Sequence, residues 1–556
     1  MKQIIECVPN FSEGRDENIL NKIAEAISSV EGVKLLEVDP GKATNRTVFT
    51  FVGEPEPVIE AAFRAIKAAG ELIDMSKHKG EHPRMGATDV CPLIPIRNIS
   101  MDEVVMYARK LGERVGKELG IPGYFYEFAA TSSQRKNLAD IRAGEYEGLA
   151  KKIIQPEWKP DFGPTQFNST SGATVIGARN FLVAYNVNLN TTSTRRANAI
   201  AFDVREAGRV KTDAQGKNIL DENGEPIRIP GTLPSVKAIG WFIEEYGVAQ
   251  ISMNLTDITI TSVHQAFDEV CKKAEERGVR VTGSELVGLI PLQCLLDAGK
   301  HYLIKQQRSV GVSERELIKI AVKSLGLDEL KPFDPQKKII EYVMKDEEKK
   351  LVDMTVADFA DETASESPAP GGGSVAALAG AMGASLATMV ANLSSHKRGW
   401  DDRWEYFSQW AEQGQQLKNK LIHLIDEDTR SFHRIMDAFK LPSQSDEEKK
   451  IRKQAVQKAT IYATQIPFEV MQTSFQSLSL IEAMVEQGMK SSVSDVGVAA
   501  LCVQTAVHGA YLNVKINASS IEDRLIADDM LNKGKIILQQ TKEKVSELLE
   551  KAESKM

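Results

Sequence analysis

A change of hydrophobic period near residue 350 constrains this chain more than anything else in it. Before it, short β-rich runs alternate with amphipathic helical segments. After it, from about residue 354 to 556, apolar residues recur at spacings of three and four and no strand pattern returns. Strand side chains repeat every two residues and helix side chains about every 3.6, so the two halves need different cores. The chain has 556 residues, enough for three or four domains of about 150 each.

Residues 1 to about 178 read as β-α-β-β-α-β with further helices. Strands are expected at 2–8, 34–38, 47–52 and 90–96, and helices at 18–30 and 57–73. Ser100 and Glu103 form a capping-box pattern that opens another helix. Residues 179 to 326 repeat the order. Strands are expected at 181–188, 236–242, 248–255 and 280–282, and helices at 194–204, 264–277, 292–298 and 314–325. An exposed hairpin is expected at 211–230. The fold class is therefore two ferredoxin-like βαββαβ subdomains, each a sheet with helices on one face, followed by an all-α helical bundle. The expected divisions are 1–178, 179–326, a linker at 327–353 that carries a charge run at 345–350, and a bundle at 354–556.

Net charge is −8, which excludes a general nucleic-acid binder but not small anions held by local Arg and Lys. The five cysteines make no C-x-x-C pair, so no zinc or redox motif is signalled and no metal is expected. No secretory h-region opens the sequence. The small-apolar run 375–390 falls short of a membrane span of about 20 residues, so none is expected. These features point to a cytoplasmic protein.

The stretch Lys79-Gly80-Glu81-His82-Pro83-Arg84-Met85-Gly86-Ala87-Thr88-Asp89 is too polar and too broken by Gly and Pro for helix or strand. It reads as a loop held by a scaffold, or alternatively as plain solvated surface. His82 suits proton transfer near neutrality, and Pro83 keeps its backbone extended. Loops beyond strand ends converge in α/β sheets, so Asp39, Asn45 and Arg46 are expected to meet His82 and Arg84. Arg46 and Arg84 are candidate carboxylate clamps. The junction Gly163, Pro164, Thr165, Gln166, Phe167, Asn168, Ser169, Thr170, Ser171, Gly172 offers hydroxyls and amides for a polar heterocycle edge, or serves only as a linker.

In the second half, Gly371, Gly372, Gly373 and Ser374 precede a long helix. They either expose N–H groups to an anion or form a hinge capped by Ser374. The apolar stripe of 417–439 runs through Asp428, while Asp426 lies on another face. A buried Asp428 suits acid/base work; a helix–helix salt bridge is the alternative.

The motifs Glu6-Cys7-Val8-Pro9-Asn10-Phe11-Ser12-Glu13-Gly14, Thr44-Asn45-Arg46-Thr47-Val48, Gly80–Asp89 and Gly283-Ser284-Glu285-Leu286-Val287-Gly288-Leu289 resemble the glutamate formiminotransferase family over residues 1 to about 326. The resemblance implies transfer of a formimino group from N-formimino-L-glutamate to N5 of tetrahydrofolate. It also implies His82 as the acid/base and folate at Gly163–Gly172. Pro370–Ala377, Ile425-Asp426-Glu427-Asp428 and Ser494-Asp495-Val496 resemble the formiminotetrahydrofolate cyclodeaminase family over most of 355–550. That implies closure to 5,10-methenyltetrahydrofolate with loss of ammonia, and Asp428 as the catalytic aspartate. Asp495 opens a helix as a second polar contact or only as a cap. The two in this order resemble the fused formimidoyltransferase-cyclodeaminase family. This implies a homo-oligomer, tetrahydrofolate (polyglutamylated) as co-substrate and no metal. Competing expectations are a 5-formyltetrahydrofolate enzyme with a cyclohydrolase bundle, or a folate-binding scaffold without turnover.

Overall fold

Strand alternation sets the first sheet. On β1 (Ile4–Cys7), Ile5 and Cys7 enter an apolar core while Glu6 turns to the other face. The computed structural model describes residues 3–42, 44–80, 83–344 and 350–556. The described chain divides into two compact units, Met1–Leu295 with Val322–Lys345, and Leu296–Ala321 with Asp346–Met556.

In the first unit, β2 (Asn10–Phe11) continues β1 after a break at Val8 and Pro9. Helix α1 (Glu17–Ser28) is capped by Asp16, and β3 (Val33–Gly41) and β4 (Arg46–Gly53) form a hairpin. Helix α2 (Pro55–Leu72) and β5 (Thr88–Arg97) follow. Helix α3 (Met101–Arg114) starts at the Ser100–Glu103 capping box that the sequence indicates. Beyond it lie β6 (Gly123–Glu127), α4 (Leu138–Arg142), α5 (Glu145–Lys152) and β7 (Thr174–Ala178). Strand β4 pairs with β1 and β2 on one side and β3 on the other; β1 and β2 also pair with β5. Strands β7 and β6 extend the sheet parallel to β5. These two strands were not expected, because five-residue runs containing glycine carry little periodic signal. Helices α1 to α3 bury Ile23, Ile27, Ile59, Ile66, Val104 and Leu111 against one sheet face. The expectation of helices on one face only is corrected by α4 and α5. Their Ile141 and Leu149 pack on Val90, Tyr124, Tyr126 and Val175 on the opposite face.

The second sheet contains β8 (Val183–Leu189), β11 (Val236–Ile243), β12 (Val248–Leu255) and β13 (Val281–Val287), in the antiparallel order β11-β12-β8-β13. Helices α6 (Thr194–Val204) and α7 (Val263–Glu275) pack on the face carrying Tyr185, Val187, Ile251 and Met253. The insertion between α6 and β11 is pinned by β9 (Arg209–Val210) and β10 (Arg228–Ile229), and most of it is exposed as expected. Part of the expected linker is ordered: α10 (Pro335–Lys338) and α11 (Ile340–Val343) bury Ile339 and Ile340. The charge run at 345–349 lies outside the described residues.

The second unit contains most of α8 (Leu292–Lys305) and α9 (Glu314–Leu325), and then α12 (Val356–Thr363), α13 (Gly372–Ser395), α14 (Trp404–Phe439), α15 (Asp446–Gln487), α16 (Val493–Ala518) and α17 (Arg524–Lys555). Helices α13 and α16 run antiparallel and close. A Cβ on Gly383 would sit 2.9 Å from the Ala499 carbonyl and from Val503. Both helices are long and apolar enough to span a membrane by length and composition, which corrects the expectation that 375–390 falls short. In the unit, 61% of the α13 window is buried, as a bundle core helix requires. Helix α17 buries Thr541, Val545, Leu548 and Ala552 along one face.

Glu6 is 1% exposed, and its Oε2 has no hydrogen-bond partner among the described residues. Burial raises its carboxyl from 4.5 to about 7, against a smaller opposing effect of Arg179. The folded state therefore holds this proton more tightly than the unfolded chain, so stability falls as pH rises from the unfolded value through about 7. Glu6→Gln removes the buried charge. Its stability relative to wild type should improve by up to about 3 kcal/mol between pH 4.5 and pH 8, read from denaturant unfolding at both values.

Candidate active sites

Strand direction brings three loops together in the first unit. Strands β5 and β7 are parallel, so the segments preceding them lie at the same end of the sheet. Strand β4 is antiparallel to β1, as β5 is, so β4 also begins at that end. The convergence is therefore at strand starts, not at the strand ends the sequence argument used.

Contacts seal the convergence. Gly86 and Gly172 form an antiparallel bridge. The Ala87 N–H donates to the Ser171 carbonyl at 2.9 Å, and the Ala173 N–H to the Met85 carbonyl at 3.1 Å. Gly172 has φ +65°, and a Cβ there would lie 2.7 Å from the Gly86 Cα. Asn168 folds the loop by accepting from the backbone of Thr170 and Ser171. The Tyr146 hydroxyl holds the Ser169 carbonyl at 2.5 Å and its ring meets Phe167. Gly163, with φ +76°, packs on the Ile121–Pro122 backbone. Gly163, Pro164, Thr165 and Gln166 are exposed at the mouth of the loop.

Glu81 and His82 lie outside the described residues; the chain on both sides of them is firmly held. Gly80 packs on Thr44, and the Asn45 Nδ2 donates to the Lys79 carbonyl at 3.0 Å while Asn45 Oδ1 accepts from Gly14. Asn45 adopts φ +47° to do this. Arg84 is buried and donates to Glu145 at 2.9 Å and to both carboxylate oxygens of Glu147 at 2.9 and 2.7 Å. Its Nε donates to His78 Nδ1 at 3.2 Å. The expected clamp is thus engaged within the protein, as a brace for its own loop. His78, which sequence reasoning missed, is held at both ring nitrogens: Nδ1 accepts from Arg84 at 3.2 Å, and Nε2 lies 2.9 Å from the Asn45 carbonyl.

Arg46 is half-buried at the start of β4 and bonds Asn10; desolvation lowers it to about 10, opposed by Asp89. Asp89 pairs with Arg142 and accepts the Met85 N–H at 3.0 Å. Asp39 departs from expectation. Strand β3 runs to Gly41, so Asp39 is not on a long loop but opposite Val48 in the hairpin. Its charged neighbours are Lys338, Glu285 and Lys331, and burial raises its carboxyl. Glu37 on the same face pairs with Lys338 and is also raised by burial.

These residues lead to the second sheet. Its non-helical face carries Asn186, Asn188, Gln250 and Glu285. Gln250 Nε2 donates to Asn188 Oδ1 at 2.8 Å and to Glu285 at 3.3 Å, and the Tyr246 hydroxyl reaches Glu285 at 3.1 Å. A buried sheet face lined with amides and carboxylates is costly unless it is bonded or used. Alternation in Tyr185-Asn186-Val187-Asn188-Leu189 was the available signal.

The second unit holds a separate site. Asp428 lies on the α14 stripe between buried Leu424 and Ser431, as the periodicity indicates. The stripe then departs from expectation: Met436 and Phe439 are exposed and Ala438 is buried. Asp426 points elsewhere and accepts the Leu351 N–H at 2.7 Å. Buried Glu427, which sequence reasoning missed, is taken up by Tyr462, Arg430 and Arg434. Asp428 meets the start of α13, where Ser374 Oγ donates to its Oδ2 at 3.2 Å and to the Ile425 carbonyl at 2.9 Å. Burial raises the carboxyl; Ser374, through hydroxyl and backbone, opposes this. A Cβ on Gly373 would collide with the Asp428 carboxylate, which would have to shift. Gly372 faces Asn513 of α16. Asp495 is not part of this site. It is 18 residues before Asn513 on α16, about 27 Å along the axis. Among the described residues, no group of three or more His, Cys, Asp or Glu could hold a metal ion.

Comparison with known proteins follows this division. Residues 4–179 match the family described as Formiminotransferase domain, N-terminal subdomain, and 184–345 that described as Formiminotransferase domain. Residues 355–535 match Formiminotransferase-cyclodeaminase. The chain is 42% identical over 557 residues to formimidoyltransferase-cyclodeaminase of Mus musculus, covering 100% of both. It is 40% identical over 303 residues to glutamate formimidoyltransferase of Streptococcus pyogenes serotype M1, covering 54% of this chain and 94% of that one. It is 36% identical over 177 residues to methenyltetrahydrofolate cyclohydrolase of Methylorubrum extorquens, covering 32% and 85%. Two sites of different chemistry on one chain define a bifunctional enzyme. The chain belongs to the formimidoyltransferase-cyclodeaminase family.

Gly373→Ala should drive the Asp428 carboxylate from its seat. Ammonia release in the second unit is expected to fall at least ~10²-fold, the low end for losing a general acid–base, with the helical circular dichroism signal retained.

Proposed function

We propose that the first unit transfers the formimino group of N-formimino-L-glutamate to N5 of tetrahydrofolate. The second unit then closes 5-formiminotetrahydrofolate to 5,10-methenyltetrahydrofolate with release of ammonia. The observation that carries this is the Gly86–Gly172 bridge, which ties the 163–172 loop to the motif that contains His82. Folate on Gly163–Gly172 then lies beside the Met85–Ala87 end of that motif. His82 takes the N5 proton as N5 attacks the formimino carbon and returns it to the departing glutamate nitrogen. What supports His82 over His78 is that both ring nitrogens of His78 are committed to Arg84 and Asn45. The polar faces bearing Asp39, Glu37 and Glu285 supply acceptors for the cationic formimino donor.

In the second unit, N10 attacks the formimino carbon and Asp428 carries the N10 proton to the departing nitrogen. Neither step calls on a metal. Both halves of the first unit are read as ferredoxin-like; supporting this are the orders β3-β4-β1/β2-β5 and β11-β12-β8-β13. The reading extends to a cytoplasmic enzyme without a membrane span, acting on polyglutamylated tetrahydrofolate.

With formiminoglutamate and tetrahydrofolate supplied, His82→Ala should lower transfer at least ~10²-fold, yet still release ammonia from added 5-formiminotetrahydrofolate. Asp428→Asn should do the reverse and accumulate the 5-formimino compound. Ammonia also separates this reaction from hydrolysis of the methenyl product, the activity for which the Methylorubrum relative is named.

A homo-oligomer is part of the same reading. Val375, Met382 and Met389 lie at spacings of seven on α13, and Leu501, Leu512 and Ile516 lie on α16; all six are 38–68% exposed. A second copy would cover this apolar face. Met382→Glu should lower the molar mass measured by light scattering, and an unchanged mass would remove this face from the assembly.

A further inference from the structure

Asn513 lies on α16 where that helix passes the start of α13. Its Nδ2 donates to the Gly509 carbonyl at 2.9 Å. A carbonyl can only accept, so this bond fixes which end of the amide is nitrogen. Oδ1 is left as an acceptor. Both amide atoms face Gly372: a Cβ there would sit 3.3 Å from Nδ2 and 3.7 Å from Oδ1. On the next residue, a Cβ would meet the Asp428 carboxylate. The Gly372–Gly373 step is therefore flanked by an amide oxygen and a carboxylate. The Ser374 hydroxyl is spent on Ile425 and Asp428. Two acceptors over a glycine step suit a ligand group that carries two N–H donors.

The substrate assigned to this unit carries such a group. A protonated formimino substituent on N5 ends in a nitrogen with two N–H bonds. The formyl analogue ends in an oxygen with none. We propose that Asn513 is a binding and specificity residue of the bundle site, its Oδ1 accepting one N–H of the departing nitrogen while Asp428 accepts the other. The assignment rests on the cyclodeaminase reading and adds how that site tells formimino from formyl. In the reaction, the N10 lone pair forms the new bond to the formimino carbon and the bond from that carbon to the terminal nitrogen breaks. The proton lost from N10 passes through Asp428 to that nitrogen, which leaves as ammonia. Asn513 gains and loses no proton; it orients the leaving group. Against a formyl oxygen, both acceptors meet a third acceptor, which rejects the analogue.

The test uses the full chain as wild type, Asn513→Ala and Asn513→Asp. Ammonia release is followed with added 5-formiminotetrahydrofolate, and 5-formyltetrahydrofolate serves as competing ligand. A hydrogen bond to a charged group predicts that Asn513→Ala raises KM for the formimino substrate about 10- to 100-fold, with a smaller change in kcat. Inhibition by the formyl compound should not weaken in parallel, so the preference collapses. Asn513→Asp keeps an acceptor and should keep the preference. Transferase activity in all three reports an intact chain. Unchanged KM and preference in Asn513→Ala overturns the assignment alone, as does an equal loss of kcat in both variants with KM unchanged. A wild type that releases no ammonia from the formimino substrate overturns the cyclodeaminase reading and the assignment with it.

Discussion

The first site depends on one close approach, that of the Gly172 backbone to the Met85–Gly86 backbone. Parallel pairing of β5 and β7 puts the two preceding segments at one end of the sheet, but pairing alone leaves them a side chain apart. Two glycines remove that distance. The result is a continuous backbone frame in which Asn168, Ser171, Met85 and Ala87 exchange bonds. Lys79 and Gly80 are held by Asn45 and Thr44, and Arg84 by its ion pairs with Glu145 and Glu147. Arg84 is 7% exposed, so breaking these pairs would leave a buried charge, which is the costly case for a buried ion pair.

The bundle solves a similar problem with the same residue type. A carboxylate must be buried enough to hold a proton and bonded enough to stay in place. Burial raises Asp428, while the Ser374 hydroxyl and backbone pull it down. Glycine at 373 lets the carboxylate reach the first turn of α13, where backbone N–H groups have no helical partner. Neighbouring Glu427 shows the contrast. It is buried on the same helix, but Tyr462 and two arginines hold it below the ordinary carboxylate range, which leaves it no proton to exchange at neutrality.

Much of this was legible in the sequence. The βαββαβ order, the Ser100 cap, α6, α9 and β12 follow from periodicity and capping alone, because each is long and presents one apolar face. Asp428 follows from counting along α14. What was not legible has specific causes. Strands β6 and β7 are short and contain glycine, and only their neighbours in space define them. Asp39 was placed on a loop because Asp, Pro and Gly are turn formers, yet the hairpin carries them to Gly41 in strand geometry. Arg84 reads as a ligand clamp by residue type, and its two partners, Glu145 and Glu147, lie about sixty residues away. Asp495 was grouped with Asp428 by motif, and only the antiparallel course of α13 and α16 separates them.

The two reactions differ in how many molecules must meet, and the two sites differ accordingly. Transfer joins two polar substrates, so it needs a broad surface with many oriented partners. The polar faces of the first unit's sheets provide such partners, with Arg46, Asn10, Glu37 and Asp39 on one sheet and Asn188, Gln250 and Glu285 on the other. The proposed proton carrier, His82, belongs to the loop that precedes β5. Ring closure joins N10 to a carbon already carried on N5 of the same molecule, so proximity is largely met before binding. It needs little beyond a group to relay one proton and acceptors to orient the nitrogen that leaves. A helical bundle, whose interior must stay apolar, can accommodate that small polar set at the mouth of one helix. A buried amide network like that of the second sheet would cost it far more, because the N–H groups inside a helix are already bonded within it and cannot donate to buried side-chain oxygens.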